Sequence, residues 1–389
     1  MNVTMKKLDV IFTVSHANTL GNANRIEMVR FLQQHFKITF YSNQADFLRH
    51  LFPSTDIIPF LDHSNKKGPG PINELRMWRD IATKVSSSSS EAVLMVPASP
   101  ASLWINKPVF QYIHQFGNRA VGNGTALKSV KSLVSSGVRG WFLKRGLAKS
   151  TLNFTVSRQI IDHIGGSQAE KYQHIPHAVD LEKFRRPQVT AVHKPLSEKR
   201  KHGYFLVVYA GWMAENRGFI LMLETIRNIV STDKEVALVL AGADEEYSEK
   251  IKRFSEKEGL QNHIIDLGMI GSQDIPGVLH HADVCLSLLD DVPAFHLSPP
   301  QKVIEYFAAG KPVVCNDITT HGQLVDNEKD GLITAYNVHS VSQAILRLKR
   351  NRKLLKTLSA NAAQKASEFD LSTVYGGMLE QINHALHNR

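Results

Sequence analysis

Apolar residues recur along this chain in two rhythms. Short apolar runs at 8–14, 37–41, 91–96, 109–114 and 152–156 read as strands. A second set follows at 204–210, 236–241, 264–267, 284–288 and 312–315. Between them lie stretches with apolar positions three and four apart, such as 25–36, which read as helices. The serine run at 86–90 reads as a loop. Strands alternating with helices predict mostly parallel sheets with helices on both faces, an α/β class. The charged, proline-bearing stretch RRPQVTAVHKPLSEKRKHG separates the two sets, so two doubly wound domains are expected. We place the first at 1–185, the linker at 186–203 and the second at 204–371. A terminal helix at about 372–389 is expected to pack back on the first domain. Such domains bind ligands beyond the carboxyl ends of their strands, so a central cleft between them is the expected site.

One segment, 298–314, carries the most specific pattern: SPPQKVIEYFAAGKPVV. Ser298 is placed as helix N-cap and Pro299 at the first helical position, where a missing N–H costs nothing. Val303, Ile304 and Phe307 form an apolar stripe, Gly310 closes the helix, and Val313-Val314 begin a strand. The helix start offers unpaired N–H groups and a positive dipole end, which suit a phosphate. Glu305 lies near that end, where a carboxylate can accept hydrogen bonds from sugar hydroxyls.

This segment resembles the donor-binding signature of retaining glycosyltransferases of family 4, which have the GT-B fold. The family has two glutamates eight positions apart, followed by an Ala-Ala-Gly-Lys-Pro-Val run. Glu305 matches the second, which the resemblance implies holds the ribose of a nucleotide sugar. Leu297 stands where the first would be, and the pattern is the variant Ser-Pro-x-Lys-x-x-Glu-Tyr with Lys302 as its cation. Asp290, Asp291 and His296 are the candidates to replace the missing carboxylate. The stretch YQHIPHAVDLEKF resembles the end of the family's first domain, with Pro176, Val179, Asp180 and Phe184 matching. In VVYAGWMAENRG, Arg217-Gly218 match the family's Lys-Gly pair, while Trp212 replaces a phosphate-binding cation.

The resemblance implies catalytic roles for His114, Arg217, Lys302 and Glu305. It implies donor contacts from Gly21, Gly211, Arg217, Ser298, Pro300, Gln301, Lys302 and Glu305. Breaking a nucleotide-sugar bond leaves a diphosphate that gathers negative charge, and fixed cations aimed at it give the largest stabilisation. Arg217, Lys302 and the N–H groups after Ser298 are the candidates for that role. No Asp-x-Asp cluster or Cys/His spacing points to a metal, and none is expected. No Walker or Gly-x-Gly-x-x-Gly pattern supports ATP or NAD, so no cofactor is expected beyond the nucleotide-sugar substrate.

Charge adds a second feature. The chain has 389 residues and a formal net charge of +10. Residues 1–190 hold 24 Lys/Arg against 12 Asp/Glu, whereas the remainder holds 22 against 24. Between Ala92 and Ile161 there are nine basic residues and no acidic one. Within 125–150, Leu127, Val130, Val134, Val138, Trp141 and Phe142 fall at roughly helical spacing among Lys128, Lys131, Arg139, Lys144, Arg145 and Lys149. Two readings stand: a helix with a solvated basic face, or a surface that meets anionic lipid. No nucleic-acid motif accompanies the charge, and no nucleic-acid partner is expected.

Cys285 and Cys315 fall in apolar runs and read as buried thiols of a reducing compartment. The start of the chain reads as a strand rather than a signal peptide, and no apolar run approaches a membrane span. A cytoplasmic protein, or one peripheral on the inner face of the cytoplasmic membrane, is expected. The expected activity is sugar transfer to a lipid-linked or growing saccharide of bacterial envelope or polysaccharide synthesis. The alternatives are transfer to a soluble small molecule or protein, a non-catalytic GT-B scaffold, and a nucleotide-sugar epimerase.

Overall fold

A computed structural model describes residues 5–13, 23–60, 71–114, 130–188 and 190–388. It divides into two compact units, Met1–Pro176 with Val374–Arg389, and His177–Thr373. Residues 186–203, read as the linker, lie within the second unit and carry the helix Lys194–Lys201.

Among the described residues the first unit holds a seven-stranded parallel sheet. Its strands are β1 (Lys7–Phe12), β2 (Lys37–Ser42), β3 (Asp56–Pro59), β4 (Ala92–Val96), β5 (Val109–Ile113), β6 (Leu152–Thr155) and β7 (Tyr172–His174). Their order is β3-β2-β1-β4-β5-β6-β7. The central strands β4 and β5 are buried at every position, as a parallel sheet covered on both faces requires. Ile11, Val93 and Met95 pack with Ile81, Ala82 and Val85 of the helix Pro71–Ser86. The helix Val130–Lys149 crosses this region, and Phe142 stacks on Trp104. Its residues from 140 on leave Trp141 51% exposed, with the Arg145 guanidinium 4.3 Å from its ring. Tyr375, on the terminal helix Leu371–His387, is fully buried and donates to the backbone carbonyl of Asn24 at 3.1 Å.

The second unit has a six-stranded parallel sheet. It is formed by β8 (Phe205–Ala210), β9 (Val236–Ala241), β10 (Ile264–Asp266), β11 (Val284–Ser287), β12 (Val313–Asn316) and β13 (Gly331–Thr334). The order β10-β9-β8-β11-β12-β13 reverses direction between β8 and β11, the crevice where doubly wound sheets take their ligands. Strands β8 and β11 pair only at Val284–Val207 and Cys285–Val208, then separate. Tyr306 fills the gap: its hydroxyl accepts from the Ala210 N–H at 3.1 Å and donates to the Leu286 carbonyl at 3.1 Å. Both cysteines are free and buried.

Candidate functional site

Two loops meet at the divergence of β8 and β11. The loop after β8 runs from Gly211 to Gly218, and the Asp290 N–H after β11 donates to the Asn216 carbonyl at 3.0 Å, tying them together. Gly218 has φ +70, and a Cβ there would stand 2.5 Å from Leu288 Cβ. Both facts require glycine and fix where Arg217 leaves the backbone. The Arg217 guanidinium lies 5.3 Å from the centre of the Phe295 ring.

The helix of the signature starts later than its sequence suggests. It spans Gln301–Ala308 with Pro300 as N-cap and no side-chain cap bond. Ser298 is therefore not the N-cap, and Pro299 is not the first helical residue. A residue before proline is pushed out of the α region, so Ser298 and Pro299 both stay extended and the helix waits for Gln301. The buried Ser298 hydroxyl has no hydrogen-bond partner. Val303, Ile304 and Phe307 are buried as the stripe predicted, and Gly310 follows the helix at φ +66.

Lys302 in the first turn is the central feature. It is 8% exposed, and its ammonium stands 3.7 Å from the centre of the Tyr209 ring. That ammonium makes no hydrogen bond. Burial, then the charge of Arg217, pushes its pKa well below the ordinary lysine value, and Glu305 offsets this only in part. A buried ammonium packed on an aromatic ring, with no hydrogen bond and only part of its charge offset, is electrostatically unfinished, and an anion would complete it. Gly211 leaves the space, since a Cβ there would meet Lys302 Nζ at 3.0 Å. The Tyr209 hydroxyl donates to the Trp212 carbonyl at 2.7 Å, and burial raises its pKa to about 12. Glu305 is half-buried, accepts from Gln301 Nε2 at 3.2 Å, and is raised by burial against the pull of Lys302.

The three candidates for the missing carboxylate separate. Asp290 accepts from the Tyr336 hydroxyl at 2.5 Å. Asp291 and His296 act together: the Asp291 carboxylate accepts from His296 Nε2 at 2.7 Å, and His296 Nδ1 lies 2.8 Å from the Thr319 hydroxyl. Because a carboxylate only accepts, Nε2 carries the proton. Thr319 opens the helix Thr319–Leu324 after β12, so this relay sits at the same carboxyl edge of the sheet.

The structure thus gathers Gly211, Arg217, Ser298, Pro300, Gln301, Lys302 and Glu305 at one end of the second unit. His114 belongs to the first unit, where it follows β5 and stacks on Tyr112 with centroids 6.3 Å apart. Gly21 lies outside the described residues, as do 125–129 of the basic segment. Sequence reading missed Tyr209, Phe295 and Tyr306. Only Tyr306 carries a signal, as the aromatic residue after Glu305 in the signature. Among the described residues, no group of three His, Cys, Asp or Glu is placed to hold a metal ion. No described helix is long and apolar enough to cross a membrane.

Residues 194–365 match the family model of glycosyl transferases group 1. A chitobiosyldiphosphodolichol beta-mannosyltransferase of Candida albicans is 22% identical over 192 residues, 45% of this chain and 42% of that protein. A putative glycosyltransferase of Bacillus subtilis, YtcC, is 26% identical over 198 residues, 46% of each chain. The match therefore spans less than half the length of these curated relatives. Among solved structures, Anabaena HepE in complex with UDP and glucose has a TM-score of 0.75 at 15% identity, covering 97% of this chain and 99% of that one. A glycosyltransferase from Rickettsia africae gives 0.74 at 18%, covering 99% and 100%. At these identities the likeness is one of fold, and the fold is GT-B with two Rossmann-like domains.

Proposed function

We propose that this protein transfers a sugar from a nucleotide-sugar donor to a saccharide acceptor. The observation that carries the reading is the buried Lys302 ammonium without a hydrogen-bond partner, at the start of a helix and near Arg217. A diphosphate supplies the missing anion, and its negative charge grows as the glycosidic bond breaks. Two fixed cations in a site of low polarity then favour the transition state over the ground state. They do this charge work themselves, so the reaction proceeds without a metal. Glu305 holds the ribose hydroxyls. His296, set by Asp291 and Thr319, takes the sugar hydroxyls that a glutamate at Leu297 would have met, and the family resemblance gives His114 a role at the donor sugar. Retention of configuration follows from the family resemblance.

The acceptor is a lipid-linked or growing saccharide of envelope or polysaccharide synthesis. In its favour are the basic first unit and the exposed Trp141 with Arg145 against it. The named Candida relative acts on a dolichol-linked substrate, and a fold neighbour, WaaG, is involved in lipopolysaccharide biosynthesis. The enzyme works at the cytoplasmic membrane surface, held there by its basic segment.

The deciding experiment is thermal stability with UDP, GDP, ADP, dTDP and CMP, beside a Glu305→Ala variant. A ligand at about 100 times its dissociation constant adds about 2.7 kcal/mol. One nucleotide stabilising the wild type but not the variant fixes the donor class. Absence of any shift, together with no donor turnover, overturns the enzymatic reading in favour of a scaffold.

A further inference from the structure

A cavity of about 780 Å³ opens beside β13, against the helix Val338–Arg350, and shares no lining residue with the donor site. Its charged lining is Glu328, Arg347, Arg350 and Arg352, and Asn327, Asn351, Gln343 and Thr334 add neutral polar groups. Three guanidinium groups thus face one carboxylate. This concentration of positive charge stands out because residues 191–389 carry slightly more acidic than basic side chains.

The hydrogen bonds decide what the cavity can offer a ligand. Both oxygens of Glu328 are taken by Arg347, at 2.5 and 2.8 Å in a parallel fork. Glu328 sits at φ +64, the only non-glycine residue with positive φ among the described residues. Side chains seldom adopt this backbone, and such strain is retained where its surroundings hold it. Here the Arg347 fork holds it, together with the Asp326–Asp330 loop that Lys365 clamps at 3.2 and 3.1 Å. The side-chain oxygen of Asn327 accepts from the Ile333 N–H at 2.8 Å, and that of Asn351 from the Leu354 N–H at 2.9 Å. Each amide therefore has its acceptor occupied and its NH₂ left to donate. Arg350 is exposed and forms no hydrogen bond or ion pair among the described residues. Arg352 is mostly exposed, with one nitrogen 3.6 Å from Asp283, which does not line the cavity. The Ile333 N–H of the edge strand is closed by Asn327, which leaves the strand poorly suited to pairing with another chain.

What remains is a pocket rich in donors: guanidinium groups, and the Asn327 and Asn351 amides whose oxygens are already engaged, with the Gln343 amide beside them. We propose that it binds a small polyanion, a molecule carrying two or more phosphate or carboxylate groups close together. Either a phosphorylated metabolite or an acidic saccharide has this chemistry, and the pocket is wide enough for one or two sugar rings.

Calorimetry with inorganic pyrophosphate and with tetragalacturonate separates the two sources. The titrations use the full chain carrying Arg217→Ala, so that capture of pyrophosphate at the donor site is reduced. We expect one of the probes to bind, and Arg350→Glu to weaken it by about tenfold or more, as loss of a charge-assisted contact does. Adding Arg352→Glu should weaken it further, and Arg350→Gln should fall between wild type and Arg350→Glu. Binding should also weaken at high salt. Pyrophosphate alone identifies a phosphorylated ligand, and tetragalacturonate alone an acidic saccharide. Among the described residues Arg350 makes no hydrogen bond or ion pair and has only a longer-range attraction to Asp233, so Arg350→Gln tests the site even if Arg352→Glu, which gives up Asp283, lowers the melting temperature. Neither probe binding, or affinities unchanged by Arg350→Glu, overturns the proposal.

Discussion

The Lys302 ammonium lies 3.7 Å above the Tyr209 ring and has no hydrogen-bond partner, a costly arrangement for a chain without ligand. A buried donor left without a partner costs its desolvation penalty, about 1–3 kcal/mol, which an apolar side chain of similar length avoids. Lys302→Met should therefore raise the melting temperature by a few degrees. The same change should lower donor turnover by roughly 10²–10³-fold, the usual loss when one transition-state charge stabiliser is removed. Thermal melts and initial rates on the same preparation check both. A variant that is less stable and fully active would show that Lys302 serves packing.

Protonation should couple to nucleotide binding at the same residue. Burial lowers the Lys302 pKa well below its ordinary value of 10.5. Between the lowered and the ordinary value, the unfolded chain holds a proton that the folded chain lacks. Stability of the free protein should thus rise with pH through that window. A bound diphosphate favours the charged form, so binding within the window should take up a proton. Calorimetry in buffers of different ionisation enthalpy measures this uptake, and Lys302→Met should abolish it.

His321 should limit stability in acid. It is fully buried, donates from Nδ1 to the Asn316 carbonyl and accepts the Ser287 hydroxyl at Nε2, both at 2.8 Å. Burial depresses its pKa to about 4 from 6.5. Its neutral form is matched above pH 6.5, and stability is lost as pH falls from there towards 4, by about 3 kcal/mol in total. His321→Gln should be less stable at pH 7 but lose less on acidification. Urea unfolding at pH 7 and pH 5 makes the comparison.

The strand alternation was legible because parallel strands buried on both faces read as apolar runs: FLVVYA of β8 and VALVLA of β9 are buried throughout. The edge strand β3, DIIP, is mostly exposed and ends in proline, so it carries no such signal. Strand β7, YQH, has two polar residues of its three, and β13, GLIT, opens on glycine and is only half buried, so neither reads as an apolar run. At the site, Lys302 and Arg217 could be found because the resemblance to the family's signature implies cations at their positions. Tyr209 could not, since it reads as one more apolar residue of β8, and its role appears only where the helix crosses the strand. The late start of that helix was hidden because a serine before prolines resembles a cap, while two successive prolines hold the chain extended.

The first unit should bind anionic vesicles through its basic helix. Each Lys or Arg near such a surface contributes about 1 kcal/mol, and the attraction fades within a Debye length. Co-sedimentation with phosphatidylglycerol vesicles should exceed that with phosphatidylcholine and fall at 0.5 M salt. Trp141→Ala with Arg145→Glu should reduce it by about tenfold or more, while nucleotide binding by the second unit stays as it was. Equal sedimentation with both vesicles would favour the solvated-face reading.

The relay of Asp291, His296 and Thr319 should read the sugar and not the nucleotide. Its two hydrogen bonds, at 2.7 and 2.8 Å, hold the imidazole in one orientation at the carboxyl edge of the sheet. The carboxylate fixes the tautomer, leaving Nδ1 and the Thr319 hydroxyl to share one proton between them. Asp291→Asn removes the charge yet keeps a group able to accept the same hydrogen bond. His296→Ala removes the bridge itself. A group that holds sugar hydroxyls in the transition state should lower kcat/KM by about tenfold or more for the preferred donor and less for its epimers. Nucleoside diphosphate affinity should stay within about twofold, because the proposed diphosphate site is Arg217 and Lys302. Asp291→Asn should lie between wild type and His296→Ala. If both variants weaken nucleotide binding as much as they weaken turnover, the relay only props the loop that carries Phe295 beneath Arg217.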